Sequence, residues 1–216
     1  YYKFIEDNFS IKNKRGKVVP FVLWNTQDKY LLDITAHYGR ELEGTRDIIL
    51  KARKEGFSSL ILAIFATDFI LADYPIASVC ISDKKSETRK LFDRAKFFIN
   101  SYLVKKKIEF TSFCDVSNVN EIRNKLTGAS FWIGTAGSRT APRVESIQNL
   151  HFSEGAHFPD TDIITARETI EGALQMVDQG IGKVFIESTA HGYGNYYQTL
   201  WAKYSAGTSE FRPIFF

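Results

Sequence analysis

Cysteine is scarce in this chain of 216 residues. Cys80 and Cys114 stand far apart in apolar or mixed runs, which argues against a disulfide framework and predicts two buried free thiols in a reducing compartment. Long apolar runs are lacking too: the longest, LILAIFATDFILA at 60–72, is interrupted by Asp68 and is too short for a membrane span. No signal-peptide pattern opens the sequence, so a cytosolic chain with no membrane partner is expected. Charge of one sign is not in excess either. A formal net charge of +3 neither demands nor forbids an acidic polymer as partner. Internal repeats and low-complexity tracts are absent, which leaves an ordinary globular chain, 44% hydrophobic and able to bury a sizeable core in one domain. The abrupt YYKFIEDNF opening and the apolar FRPIFF at the end suggest a fragment cut at a domain edge.

What is present alternates between two periodicities. After a polar turn at NKRGK (13–17), apolar residues at helical spacing predict a helix over 24–37, with Asn25 or Thr26 as cap. RDIILKAR (46–53) reads as a buried strand, KEG breaks it, and a helix starts at Ser58 and runs to about residue 73. A strand at 76–82 and an amphipathic helix at 85–103 repeat the pattern. Further strands are predicted at 108–113, 130–136, 147–153 and 183–188, with a helix at 166–179. Strands alternating with helices imply an α/β fold whose largely parallel sheet is covered on both faces, with ligands at the carboxyl ends of the strands.

Three of those strand ends carry chemistry. The loop KARKEGFSS (51–59) offers Gly56 for close backbone approach and the Ser58 and Ser59 hydroxyls at a helix start, the parts a phosphate loop needs. Phe57 stands where such loops usually carry lysine, but Lys51, Arg53 and Lys54 enter from the strand side and can bring the cation from there. The same residues also describe a plain strand exit with a serine cap. In NLHFSEGAH (149–157), Glu154 follows an apolar strand, where a glutamate can polarise a water, and Ser153 holds the position in which an acid would bind magnesium. His151, Glu154 and His157 are spaced by threes, which gathers three ligands neither on a helix nor on a strand, so no zinc site is expected. In FIESTAHGYGNYY (185–197), Ser188 and Thr189 leave a strand beside a glycine-rich turn, where hydroxyls can sense a γ-phosphate.

In their order, Gln27 in PFVLWNTQ, the loop KARKEGFSS, NLHFSEGAHF and FIESTAHGYGNYYQTLW resemble the ATPase domain of the large terminase subunit, the DNA-packaging motor of tailed bacteriophages and prophages. The resemblance covers residues from about 20 to 204, and its most specific part is the run from Glu187 through Asn195 to Trp201. It implies a phosphate-loop NTPase of the additional-strand, catalytic-glutamate type that uses ATP and Mg2+, with Gln27 reading adenine, Lys51 or Arg53 as phosphate cation and Ser58 as magnesium hydroxyl. It further implies Glu154 as catalytic glutamate, Ser188 and Thr189 as the coupling motif, and Arg143, with Arg139 as rival, reaching a neighbouring subunit's ATP. The implied partners are double-stranded DNA, the portal of a procapsid, a small terminase subunit and further copies in a ring, in the cytoplasm of an infected or lysogenic bacterial host. A monomer is expected in isolation. Ser153 departs from the expected aspartate, and the family's nuclease domain is expected to lie beyond residue 216. Two other readings stand beside this one: a helicase-like nucleic-acid-dependent ATPase, and a catalytically inactive NTPase-fold scaffold. The basic groups at 84–90 and 105–107 suit either DNA phosphates or a solvated helix face.

Overall fold

The computed structural model describes residues 1–138, 146–207 and 210–216. Helix α1 (Tyr2–Asn8) leads into a hairpin of β1 (Ser10–Lys12) and β2 (Val18–Pro20), whose turn is the predicted polar stretch at 13–17. There follow α2 (Asn25–Tyr38), β3 (Arg46–Leu50), α3 (Phe57–Leu71), β4 (Ala77–Ser82), α4 (Lys85–Lys106), a single turn α5 (Phe110–Phe113), β5 (Cys114–Ser117), β6 (Glu121–Asn124) and β7 (Ser130–Thr135). The remainder comprises β8 (Asn149–Ser153), a 3-10 turn Gly155–His157, α6 (Ala166–Leu174), β9 (Lys183–Ser188), α7 (Tyr196–Ser205) and β10 (Arg212–Phe215).

Eight strands form one sheet in the order β10-β3-β9-β8-β4-β7-β6-β5. All pairs from β10 to β7 are parallel, and β6 and β5 continue the edge antiparallel. Alternation along the strands divides the core in two. Ile49, Cys80, Phe131 and Phe185 pack with helices α1 to α4 on one face; Ile48, Val79, Leu150, Phe152, Val184 and Ile186 pack with α6 and α7 on the other. The predicted α/β class with helices on both faces is the one observed. Helix α3 is buried along twelve of its 15 residues, because α1 and α4 cover the side that the sheet does not. Both cysteines are free and buried, as expected, and burial pushes the Cys114 thiol up to about 12. Among the described residues no helix is long and apolar enough to cross a membrane.

Several expectations need correction. Residues 108–113 form no strand: Phe110 and Phe113 lie three apart and both turn toward the core, which a helical turn permits and a strand forbids, and the strand begins only at Cys114. The helix from 166 stops at Leu174 rather than 179, since Val177 leaves to bridge Ile147 beside the sheet. Trp24, not Asn25 or Thr26, caps α2. Helix α3 starts one residue earlier than expected, at Phe57, which is wholly buried against Tyr30 and Phe216. Helices α1 and α7 and strands β1, β2, β6 and β10 were not foreseen.

Candidate phosphate-loop site

Strand β9 lies between β3 and β8, so three of the predicted strand ends stand side by side. Leu50 is in register with Ser188, and Ser153 with Glu187. Parallel pairing therefore delivers the loop from β3, the acid after β8 and the hydroxyls ending β9 to one edge of the sheet.

The loop leaves β3 at Lys51 and turns through Lys54 and Gly56, both left-handed, at φ of +72° and +73°. Gly56 is required there: a Cβ would fall 2.5 Å from Gln27 Nε2. Gln27 latches the loop to α2. Its Nε2 donates to Gly56 O at 2.8 Å, and its Oε1 accepts from Trp24 N at 3.0 Å. The residue expected to read adenine is thus buried, with both amide atoms on the protein's own backbone. Arg53 and Lys54 are exposed. They line an open cleft of about 370 Å³ with Lys84, Glu154, His157 and Thr189. A larger cavity, about 710 Å³, is lined by Tyr1, Asp68 and Lys183 near the start of β9, at the opposite edge of the sheet from this chemistry.

Lys51 is buried between two acids. Its Nζ donates to Glu154 Oε1 at 3.0 Å and lies 2.9 Å from Glu187 Oε2. Burial opposes its charge, but Glu187 and Glu154 together outweigh burial and raise its pKa. Glu154, in the left-handed region at φ +59°, is held by Thr189 through the backbone N at 3.1 Å and Oγ1 at 3.0 Å, both to Oε2. Ser188 Oγ accepts from Ala156 N and donates to Thr189 O. The two proposed coupling residues thus pin the acid and the turn that follows it.

Glu187, which sequence reasoning passes over as a site residue, is the centre of the cluster. Its Oε1 accepts from Ser58 Oγ at 2.6 Å and Ser153 Oγ at 2.8 Å, with His151 Nε2 at 3.3 Å. Burial raises its pKa, yet the His151 contact, the Lys51 charge and the Ser58 hydrogen bond win and hold the carboxyl down at about 2. A signal was available: a serine where one strand end lacks its acid, and a glutamate directly before Ser188 on another. Ser59 turns elsewhere, accepting from Arg94 Nη1 of α4 at 3.0 Å. His151 and His157 diverge, the first to Glu187 and Cys80, the second to Thr189 with its ring tilted against that of His191. Among the described residues no three of His, Cys, Asp and Glu stand together as a metal cluster. Arg139 and Arg143 lie outside the described residues.

No family model and no curated protein matches the sequence. Solved structures do match. The large terminase of HK97 bacteriophage superposes with a TM-score of 0.74 at 15% identity, over 99% of this chain and 42% of that one. The large terminase of the thermophilic bacteriophage D6E gives 0.60 at 11% identity, over 91% and 46%. The ATPase domain of the Thermus phage P74-26 large terminase, an R139A mutant, gives 0.53 at 12%, over 91% and 86%. The chain therefore spans less than half of the two whole terminases and most of the isolated ATPase domain. It has the fold of the large-terminase ATPase domain, and the fold implied by the sequence resemblance is the one found.

Proposed function

We propose that this chain hydrolyses ATP as the motor domain of a large terminase and so drives double-stranded viral DNA into a procapsid. One observation carries the reading: Lys51, Thr189 and Glu154 meet at the carboxyl ends of the three neighbouring strands β3, β9 and β8, on the fold of terminase ATPase domains.

In this reading Arg53 and Lys54, exposed on the cleft, meet the nucleotide's phosphates, and Lys51 adds its charge from the floor. Glu154 accepts the proton of the attacking water, with Thr189 fixing the orientation of its carboxylate. Ser58 and Ser153 are the hydroxyls that would orient magnesium, and the carboxylate to which both donate, Glu187, fits a cation beside them. Glu187 Oε2 is a buried anionic oxygen with no hydroxyl or backbone donor, balanced only by the Lys51 ammonium 2.9 Å away. When bound, magnesium neutralises charge on the β- and γ-phosphate oxygens. Gln27 reads the purine by exchanging its bonds to Trp24 and Gly56 for bonds to the base. Ser188 and Thr189 pass the state of the γ-phosphate to the β8–β9 edge.

An arginine supplied in trans, Arg143 or its rival Arg139, completes the site in a ring of copies docked on the portal, with a small terminase subunit delivering the DNA, in the cytoplasm of the bacterial host. The isolated chain is then monomeric and slow. Turnover of ATP by the parent and by Glu154→Gln tests the core of this proposal. We expect a loss of about 10² or more in kcat with ATP binding retained. Turnover that survives the substitution refutes the assignment. No turnover in the parent, alone or assembled, favours the inactive scaffold, and stimulation by any single-stranded nucleic acid favours the helicase-like ATPase.

A further inference from the structure

Serine occupies the place at the end of β8 where an acid would be expected to hold magnesium, and the sheet shows where an acid has gone. Ser153 is paired in register with Glu187 on the adjacent strand, and donates to it at 2.8 Å. The hydroxyl of the loop's helix, Ser58, donates to the same carboxylate oxygen at 2.6 Å. A loop hydroxyl and a buried carboxylate are thus already joined, with the carboxylate one strand nearer to β3 than the β8 position.

A buried carboxylate that serves structure alone usually has hydrogen-bond donors on both oxygens. Glu187 does not conform. Every hydroxyl and imidazole donor is directed at Oε1, while Oε2 is left to a single ion pair, the Lys51 ammonium 2.9 Å away. Lys51 is also tied to Glu154, so a cation already stands between the two acids. Magnesium brought in on phosphates asks for only one or two protein carboxylates.

We propose that Glu187 is the carboxylate through which the magnesium of Mg·ATP is held, taking over from β9 the role that Ser153 cannot fill on β8. The proposal rests on the ATPase reading above and deepens it.

The test is equilibrium binding of a fluorescent ATP analogue in magnesium and in chelator, with thermal unfolding recorded for each protein. The parent binds more tightly in magnesium. Glu187→Gln loses that gain, and Ser153→Asp in the Glu187→Gln background restores it by returning the acid to β8. A Glu187→Gln protein that keeps the parent's magnesium gain overturns the proposal, as does a well-folded double variant without it. Should Glu187→Gln fail to fold, Glu187→Asp carries the test: a carboxylate shortened by one methylene shifts preference from magnesium toward the larger calcium ion, and an unchanged preference overturns the idea. A parent that binds no ATP under either condition sinks the ATPase reading itself. A parent that gains from magnesium, beside a Glu187→Gln protein that gains equally, sinks only the present inference.

Discussion

Thr189 grips a single oxygen of Glu154 twice, through its backbone N at 3.1 Å and its Oγ1 at 3.0 Å. The other oxygen belongs to Lys51. The exit of β9 therefore sets the orientation of the acid that follows β8, and whatever moves one moves the other.

Thr189→Val keeps the backbone donor and removes the hydroxyl. A hydrogen bond to a charged group contributes about 1.5–3 kcal/mol, so kcat should fall about tenfold or more with KM little changed. Steady-state ATPase kinetics check this, and an unaltered kcat would show that the hydroxyl does not position the acid.

Stability should depend on pH through Glu187. Its carboxyl titrates at about 2 in the folded chain against a reference of 4.5, so its contribution is present above about pH 4.5 and is lost as pH falls through 2. The shift corresponds to roughly 3 kcal/mol. Chemical denaturation at neutral and acid pH should show Glu187→Gln well below the parent at pH 7 and nearly level with it near pH 2. A difference that stays constant would contradict the depressed pKa.

Lys51→Met leaves Glu187 buried without its cation. Breaking one side of a buried pair costs about 3–5 kcal/mol, whereas removing both charges costs less. The expected order of melting temperatures is parent, then Lys51→Met with Glu187→Gln, then Lys51→Met alone. If the double variant melts lowest, the two groups are not coupled as the geometry indicates.

Gly56→Ala puts a Cβ 2.5 Å from Gln27 Nε2 on backbone at φ +73°. The left-handed conformation alone costs roughly 1–2 kcal/mol, and the latch to α2 is displaced as well. Calorimetry should show a lowered melting temperature, and hydrogen exchange should show faster opening at the start of α3. A variant that matches the parent in both would mean the loop tolerates another path.

Much of this was legible in the sequence. Strands β3, β4, β7, β8 and β9 and helices α2, α3, α4 and α6 announce themselves through β-branched runs and helical spacing, and their alternation gives the parallel sheet. The three strand ends were readable for the same reason. The strand order was not, since nothing local states that β9 inserts between β3 and β8, and that insertion is what brings Glu187 to Ser58 and Ser153. Helix α7 was missed although Asn195 caps it and Tyr197, Leu200 and Tyr204 follow at helical spacing. Strand β10 was missed because Pro213 and two phenylalanines read as an apolar tail until β3 is there to pair with them.

Phe57, the residue standing where a loop lysine would be expected, has its ring 4.9 Å from that of Phe216, and both rings meet Tyr30. Phe216 is also stitched by its backbone to both sides of the loop's origin, its N to Leu50 O and its O to Ala52 N, each at 3.0 Å. A shift of residue 216 thus reaches the loop by two routes, through the backbone pairing to its first residues and through tilted and edge-on ring contacts to the first turn of α3. The position expected to carry a charge instead packs residue 216 against the loop, so that a displacement of Phe216 is also a displacement of the turn that ends at Gly56.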